Sequence, residues 1–375
     1  MSPQRTGVSP AFATRLVFFI AGFVTAAWAV IVPFARNNTG VNEATLGTLL
    51  LCLGVGALIA MPVTGLLTNK FGCRRVILCA IGFIVLTTPL LSVITDPLLL
   101  AGVLLLFGVG VGVTDCAMNI QAILVEKQSP VPVMSGFHGM YSVGGIAGAG
   151  FLTLLLAMGM SIFAGTLLVT LAVIVMALLS RSGLLTYANP AEGPAFAVPR
   201  GIVLLLGVVC FAVFLTEGTV LDWSAVYLTD YTCFAVAMTA ARLTGDRLIA
   251  WLGRLPVVFG GALIAAAGLA LVTWVPSWQL SLTGYILVGA GCANIVPVMF
   301  SAVGRQTVMP QAAAVPAMTT MGYLGVLSGP AIIGYVAHYS SLSFAFSLIM
   351  ALMIMVGAVS FTLNLSSKTI TAENP

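Results

Sequence analysis

Long apolar runs recur along the whole chain, and only a few polar residues separate one from the next. They lie near 13–35, 45–67, 76–95, 98–125, 139–158 and 160–180, then near 201–228, 231–252, 256–275, 279–303, 312–337 and 342–365. A helix that crosses a bilayer needs about 20 mostly apolar residues, so each run is long enough for one pass. The expected fold class is all-α integral membrane, with twelve transmembrane helices, six on each side of one polar break. The first run is too long for a cleaved signal peptide, and no small-residue cleavage site precedes the second.

The charge content excludes the other classes. Only 6% of the 375 residues are charged and 60% are hydrophobic, whereas an ordinary soluble domain is about 25% charged. A soluble enzyme, a nucleic-acid-binding module and a disordered chain are all ruled out on that ground. The net charge of +4 is spread in ones and twos and makes no basic footprint. Seven cysteines sit mostly within apolar runs, with no metal-ligand spacing, and read as small packing residues. Neither a metal nor a cofactor is expected.

The polar break spans residues 181–200, from Arg181 to Arg200, and contains three prolines and two glycines. It reads as a linker, which divides the chain into an N-terminal six-helix bundle (1–180), a cytoplasmic linker (181–200) and a C-terminal six-helix bundle (201–375). Basic residues set the orientation. Arg5, Arg15, Lys70, Arg74, Arg75, Lys127, Arg181, Arg200, Arg247, Arg254, Arg305 and Lys368 fall on one side of the membrane. Arg36 alone sits in a loop on the other, and Arg242 lies within a span. Both termini are therefore expected in the cytoplasm of a bacterium, with the protein in its inner (plasma) membrane.

The spans differ in polarity. The third, sixth, ninth and twelfth carry no ionisable residue, whereas the fourth carries Asp115, Asn119 and Gln121, the seventh Glu217 and Asp222, and the tenth Asn294. An acid at bilayer depth costs on the order of 2.5–3.5 kcal/mol on insertion scales. Polar spans are thus expected around a wet cavity, and every third span against lipid. A three-helix unit used four times is a transporter architecture.

The stretch Gly65-Leu-Leu-Thr-Asn69-Lys70-Phe-Gly72-Cys-Arg74-Arg75 resembles the loop signature of the major facilitator superfamily between its second and third helices. Asn69 stands where that signature has an aspartate and Cys73 where it has its first arginine, so the gating ion pair of the family is not expected in its usual form. Gly245-Asp246-Arg247 with Gly253-Arg254 is a degraded copy in the second half. His138-Gly-Met-Tyr141-Ser-Val-Gly-Gly, Glu217-Gly-Thr-Val-Leu-Asp222-Trp223 and Gly322-Tyr323-Leu-Gly-Val-Leu-Ser-Gly-Pro330 together are similar to the bacterial MosC-like group, whose namesake is linked to transport of a rhizopine, an inositol amine. That resemblance covers essentially the whole chain. One departure is Ile31, at a position where the group usually has an arginine.

The residues themselves nominate a site. Asp115 and Asn119 are four apart and share one face of the fourth span; they read as a substrate or proton site, against a structural hydrogen bond to a neighbouring helix. Glu217, in the middle of the seventh span, is the first candidate for a protonatable coupling residue. Asp222 and Trp223, nearer the outer end, read equally as an interfacial boundary. Trp28, Tyr141, Asn294 and Tyr323 are candidates to line the cavity. His138 reads as a helix-end hydrogen-bonding residue or a relay. Gly65, Asn69, Lys70, Gly72, Arg74 and Arg75 form the candidate cytoplasmic gating loop. The glycines of the fifth and eleventh spans permit close approach of backbones in lipid, either as plain packing or as a sliding contact between halves.

The eighth span poses a conflict. Only eleven apolar residues separate Asp230 from Arg242, and running on to Leu252 buries Arg242, Asp246 and Arg247. The expectation is a shortened eighth helix, or one that starts near Ser224 after a tight turn at Asp222.

The expected function is secondary active transport by alternating access of a small polar solute of the sugar, polyol or inositol-amine type, with protons as the coupling partner and the chain acting as a monomer. A drug or metabolite exporter and a non-transporting degraded paralogue are the alternatives. A membrane enzyme would need a cluster of His, Asp or Ser at one interface, and the loops are too short and poor in such residues to supply it.

Overall fold

Ser9 and Pro10 begin the first helix. The Ser9 side chain accepts the Phe12 N–H, Pro10 occupies the first turn, and Gly40, in the left-handed region, closes the helix at its far end. The computed structural model describes residues 8–188, 198–227, 232–275, 277–363 and 365, without the side chains of 43, 44, 221–227 and 232. Those residues form twelve helical elements and no strand: α1 (Pro10–Thr39), α2 (Glu43–Leu91), α3 (Pro97–Glu126), α4 (Met134–Ala157), α5 (Ile162–Ser180), α6 (Ile202–Tyr227), α7 (Thr232–Leu252), α8 (Arg254–Trp274), α9 (Trp278–Cys292), α10 (Ile295–Val303), α11 (Gln311–Tyr339) and α12 (Leu342–Ser360).

Twelve elements and twelve membrane spans coincide only because one helix folds and another breaks. α2 is two spans. Gly72 at φ 79 and ψ 157 turns the chain sharply between its arms, a conformation that a side chain would strain. α9 and α10 are two parts of one span, interrupted at Ala293 and Asn294. Among the described residues, ten helical stretches are long and apolar enough to cross a membrane, α2 counting once and α7 not at all.

Away from the arginine-rich face, side-chain caps make the tight connections possible. Asn42, Asp96, Ser161 and Ser341 each accept a backbone N–H from the first turn that follows, so polar groups at these helix ends are satisfied with few loop residues.

Packing follows two groups, α1–α5 and α6–α12, joined where α2 meets α11 and α4 meets α7. Within each group, glycines bring backbones together. A Cβ on Gly144 or Gly148 of α4 would overlap the carbonyls of Phe19 or Phe23 in α1, and one on Gly325 of α11 would overlap that of Phe211 in α6. At Gly144, Gly148 and Gly325 the close approaches are internal to one half, which corrects the reading of a sliding contact between halves at those positions. Gly136 and Gly139 do face the other half, against Asp246 and Leu243 of α7.

The eighth span also departs from expectation. α7 has 21 residues, about 31 Å at 1.5 Å per residue, and is no shorter than α8 or α12. It reaches that length by keeping Arg242 inside the helix at 6% exposure. The expected start near Ser224 is likewise overturned, because α6 continues to Tyr227. Asp230 and Tyr231 lie outside the described residues. The physical reason is that Arg242 has buried partners, as the site shows.

Candidate functional site

The acid of the seventh span and the arginine of the eighth face one another. Glu217 Oε1 accepts a hydrogen bond from Arg242 Nη2 at 3.1 Å, and the two side chains are 14% and 7% exposed. A buried charge is tolerable when it is both paired and hydrogen-bonded, and here the guanidinium is bonded in three directions. Its Nε donates to the Ala293 carbonyl at 3.2 Å and its Nη1 to Ser142 Oγ at 3.0 Å. One side chain of α7 therefore joins α6, the break between α9 and α10, and α4 of the other half.

The break supplies its share through sequence. Proline at 297 has no N–H to give the carbonyl four residues back, which is that of Ala293. Asn294, at the break itself, donates from Nδ2 to the Ala241 carbonyl at 3.1 Å. Gly245 makes room for it, since a Cβ there would overlap Asn294 Oδ1.

Tyr141 of α4 connects this pair to a second acid. It lies within electrostatic range of Arg242, Glu217 and Asp115, with Thr25 as a side-chain hydrogen-bonding neighbour. Tyr323 of α11 is close to both Tyr141 and Asp115. Asp115, Tyr141, Glu217 and Tyr323, four residues nominated from sequence, thus converge from four spans, two in each half. Among the described residues the Asp115 carboxylate has no cationic partner. Asn119 shares its helix face as expected, but its Nδ2 donates to the Asp115 backbone carbonyl at 2.9 Å and its buried Oδ1 has no partner among the described residues.

Other nominated residues lie elsewhere. Trp28 is 6% exposed and packs against Phe107 inside the first half, and Ile31 is fully buried. His138 is buried between Phe18 and Phe300, with ring centroids 5.1 and 5.5 Å away, and its Nε2 has no hydrogen-bond partner among the described residues. Side chains at Asp222 and Trp223 lie outside the described residues.

At the arginine-rich end the halves are bonded to each other. Asp246 accepts the N–H groups of Ser135 and Gly136, at 2.9 and 2.8 Å, in the first turn of α4, and Ser301 Oγ donates to Glu126 at 2.6 Å. A carboxylate at a helix N-terminus satisfies orphan donors and complements the helix dipole. Its counterpart in the first half does not repeat this, because Asn69 has no hydrogen bond among the described residues, and Lys70 extends over the Phe71 ring, 5.3 Å from its centroid. Arg74 reaches a different target: its Nε and Nη2 donate to the carbonyls of Leu184 and Ser182 at 3.0 and 3.1 Å, and its backbone N–H to that of Leu185 at 2.7 Å. Gln121 accepts the Leu185 N–H at 3.0 Å, while Arg75 is exposed. Of the signature residues, Gly65 lies against Ala312 of α11, Gly72 makes the fold in α2, and Arg74 holds the start of the linker.

Arg242 is the residue that sequence reasoning missed. Its signal was present: a base at bilayer depth in a chain that also has an acid at bilayer depth needs a partner.

The model of the Major Facilitator Superfamily matches residues 15–231. An uncharacterised MFS-type transporter of Yersinia pestis is 47% identical over 365 residues, covering 94% of this chain and 95% of that protein. Membrane protein MosC of Rhizobium meliloti is 30% identical over 362 residues, covering 93% and 88%. Among solved structures, the fucose:proton symporter FucP of E. coli superposes with a TM-score of 0.76 at 16% identity, over 94% of this chain and 98% of FucP. FucP in its outward conformation gives a TM-score of 0.77 at 15% identity, over 94% and 99%. The fold agrees with these matches, and the chain is a multi-pass membrane transporter that belongs to the major facilitator superfamily.

Proposed function

We propose that the protein moves a small polar solute of the sugar, polyol or inositol-amine type by alternating access, coupled to protons, as a monomer in the bacterial inner membrane with both termini cytoplasmic. The observation that carries this reading is the Glu217–Arg242 pair, buried at the meeting of four spans and shared with Ser142 of the opposite half. A proton on Glu217 would remove half of the pair, leave Arg242 seeking another acceptor and so change what holds the halves together. Asp115, with no cation beside it, is the proposed point of attachment for solute, aided by Tyr141, Tyr323 and Asn119. A carboxylate and an unpaired amide oxygen are acceptors, which favours a donor-rich solute.

The closed end supports a specific state. With the arginine-rich face cytoplasmic, the bonds of Asp246 to the Ser135 and Gly136 N–H groups and of Ser301 to Glu126 hold that side closed, which favours an outward-facing state.

The test is flux of labelled sugars, polyols and amino-polyols in proteoliposomes, with and without an imposed pH gradient. Wild-type protein is expected to accumulate one of these when the gradient is present, and Glu217→Gln to lose accumulation while keeping exchange. Unchanged pH dependence in Glu217→Gln would reject the coupling role. Efflux of apolar drugs alone would favour the exporter reading, and a well-folded protein inert towards every class would favour the non-transporting one.

A further inference from the structure

The tenth span contains a device that acts on the eighth. A continuous helix would use up the Ala293 carbonyl internally, since the N–H four residues on would take it. Residue 297 is proline, so that donor is missing. The carbonyl that it leaves free accepts Arg242 Nε at 3.2 Å. The neighbouring Asn294 holds the α7 backbone one residue before Arg242, through the Ala241 carbonyl at 3.1 Å, and the absence of a side chain at Gly245 lets it in. Three features from two spans therefore fix the height and the plane of one guanidinium.

We propose that Pro297 is a positioning residue for the ion pair: by withholding an N–H it assigns the Ala293 carbonyl to Arg242, and so orients the guanidinium with one amino group towards Glu217 and the other across the half interface to Ser142. This deepens the coupling reading given above and rests on it for its functional meaning. The geometry has a consequence for alternation. The Ala293 carbonyl and Glu217 belong to the same half as Arg242, and Ser142 belongs to the other. When the halves part at this level, Arg242 keeps its orientation through Ala293 and loses only its third acceptor. Among the described residues, the titratable groups within electrostatic range of the pair are Tyr141 and His138 from α4, Cys210 from α6 and Cys292 from α9. Among them and the pair, Arg242 is the only base with a charge at neutral pH that does not depend on its surroundings.

The experiment is nitrogen NMR of the arginine side chains of the full-length protein in nanodiscs, with the Arg242 signal identified by its loss in Arg242→Lys. The Arg242 Nε–H is expected to exchange slowly with water in the wild type. Pro297→Ala restores the backbone donor, and exchange at Arg242 is expected to rise about tenfold or more, as for loss of a hydrogen bond from a charged group. Replacing residue 297 with lactic acid, an ester that lacks both the N–H and the ring, is expected to restore slow exchange. Unchanged exchange in Pro297→Ala, or an ester that fails to rescue it, would overturn the proposal. Should Pro297→Ala fold poorly, the ester alone decides: slow exchange supports the missing donor, and fast exchange assigns the effect to the ring. No flux is measured, so failure of the coupling role in proteoliposomes and failure of this positioning role are separate results.

Discussion

Glu217 and Arg242 stand 3.1 Å apart on consecutive spans of one half, both largely withdrawn from solvent. Removing one member of such a pair leaves an uncompensated buried charge, which costs about 3–5 kcal/mol, whereas replacing both with apolar or neutral groups of similar volume is often close to neutral. Arg242→Met is therefore expected to lower the unfolding midpoint sharply in detergent. Arg242→Met combined with Glu217→Gln is expected to recover most of that loss. Additive single effects would show that the two side chains do not depend on each other.

Asp115 presents the opposite case. With no cationic partner among the described residues, its charge contributes no pair that a substitution could break. Asp115→Asn is expected to leave the melting temperature unchanged or to raise it, while abolishing solute binding measured by calorimetry or flux. A marked loss of stability would mean that the carboxylate has a structural partner and is not held open for solute.

Asp246 holds the first turn of α4 from the other half. A carboxylate at a partly buried helix N-terminus is worth on the order of 1–2 kcal/mol, or about tenfold in the closed-to-open ratio. Asp246→Asn is expected to widen the spin-label distance distribution across the arginine-rich end by that factor in population. Asn69→Ala, which removes no hydrogen bond among the described residues, is expected to leave the distribution unchanged.

Arg74 donates two side-chain hydrogen bonds to the segment that follows α5. Arg74→Ala is expected to expose residues 182–187 to limited proteolysis, with cleavage there appearing earlier than in the wild type. Arg75→Ala, at an exposed position, serves as the control and is expected to be cleaved at the wild-type rate.

Much of this architecture is written in local patterns. Apolar run length located the spans, because a bilayer imposes length directly. Gly72 was legible through its place in a loop signature, and Asp115 and Glu217 through the cost of an acid at that depth. Arg242 was read as an obstacle to a span because length was judged along one helix, whereas its partners lie on α4, α6 and the α9–α10 break, far away in sequence. Pro297 was invisible for a related reason. Its effect is a missing donor, and the group that benefits is a carbonyl whose partner comes from another helix. The glycines announced close approach but not to which helix, since small residues serve packing within a half as well as between halves. Trp28 shows the same limit: an aromatic within a span can line a cavity wall, yet here it fits against Phe107.

The hold of Arg74 on residues 182–185, with Thr186 lying against Gly72, also bears on how force passes through the molecule. The connection between the halves is in effect tied down at both ends, at Thr186 and at the start of α6. Motion passes between the halves where they touch, along α2 and α11, at the arginine-rich end and around Arg242, so these are the contacts that one cycle must exchange.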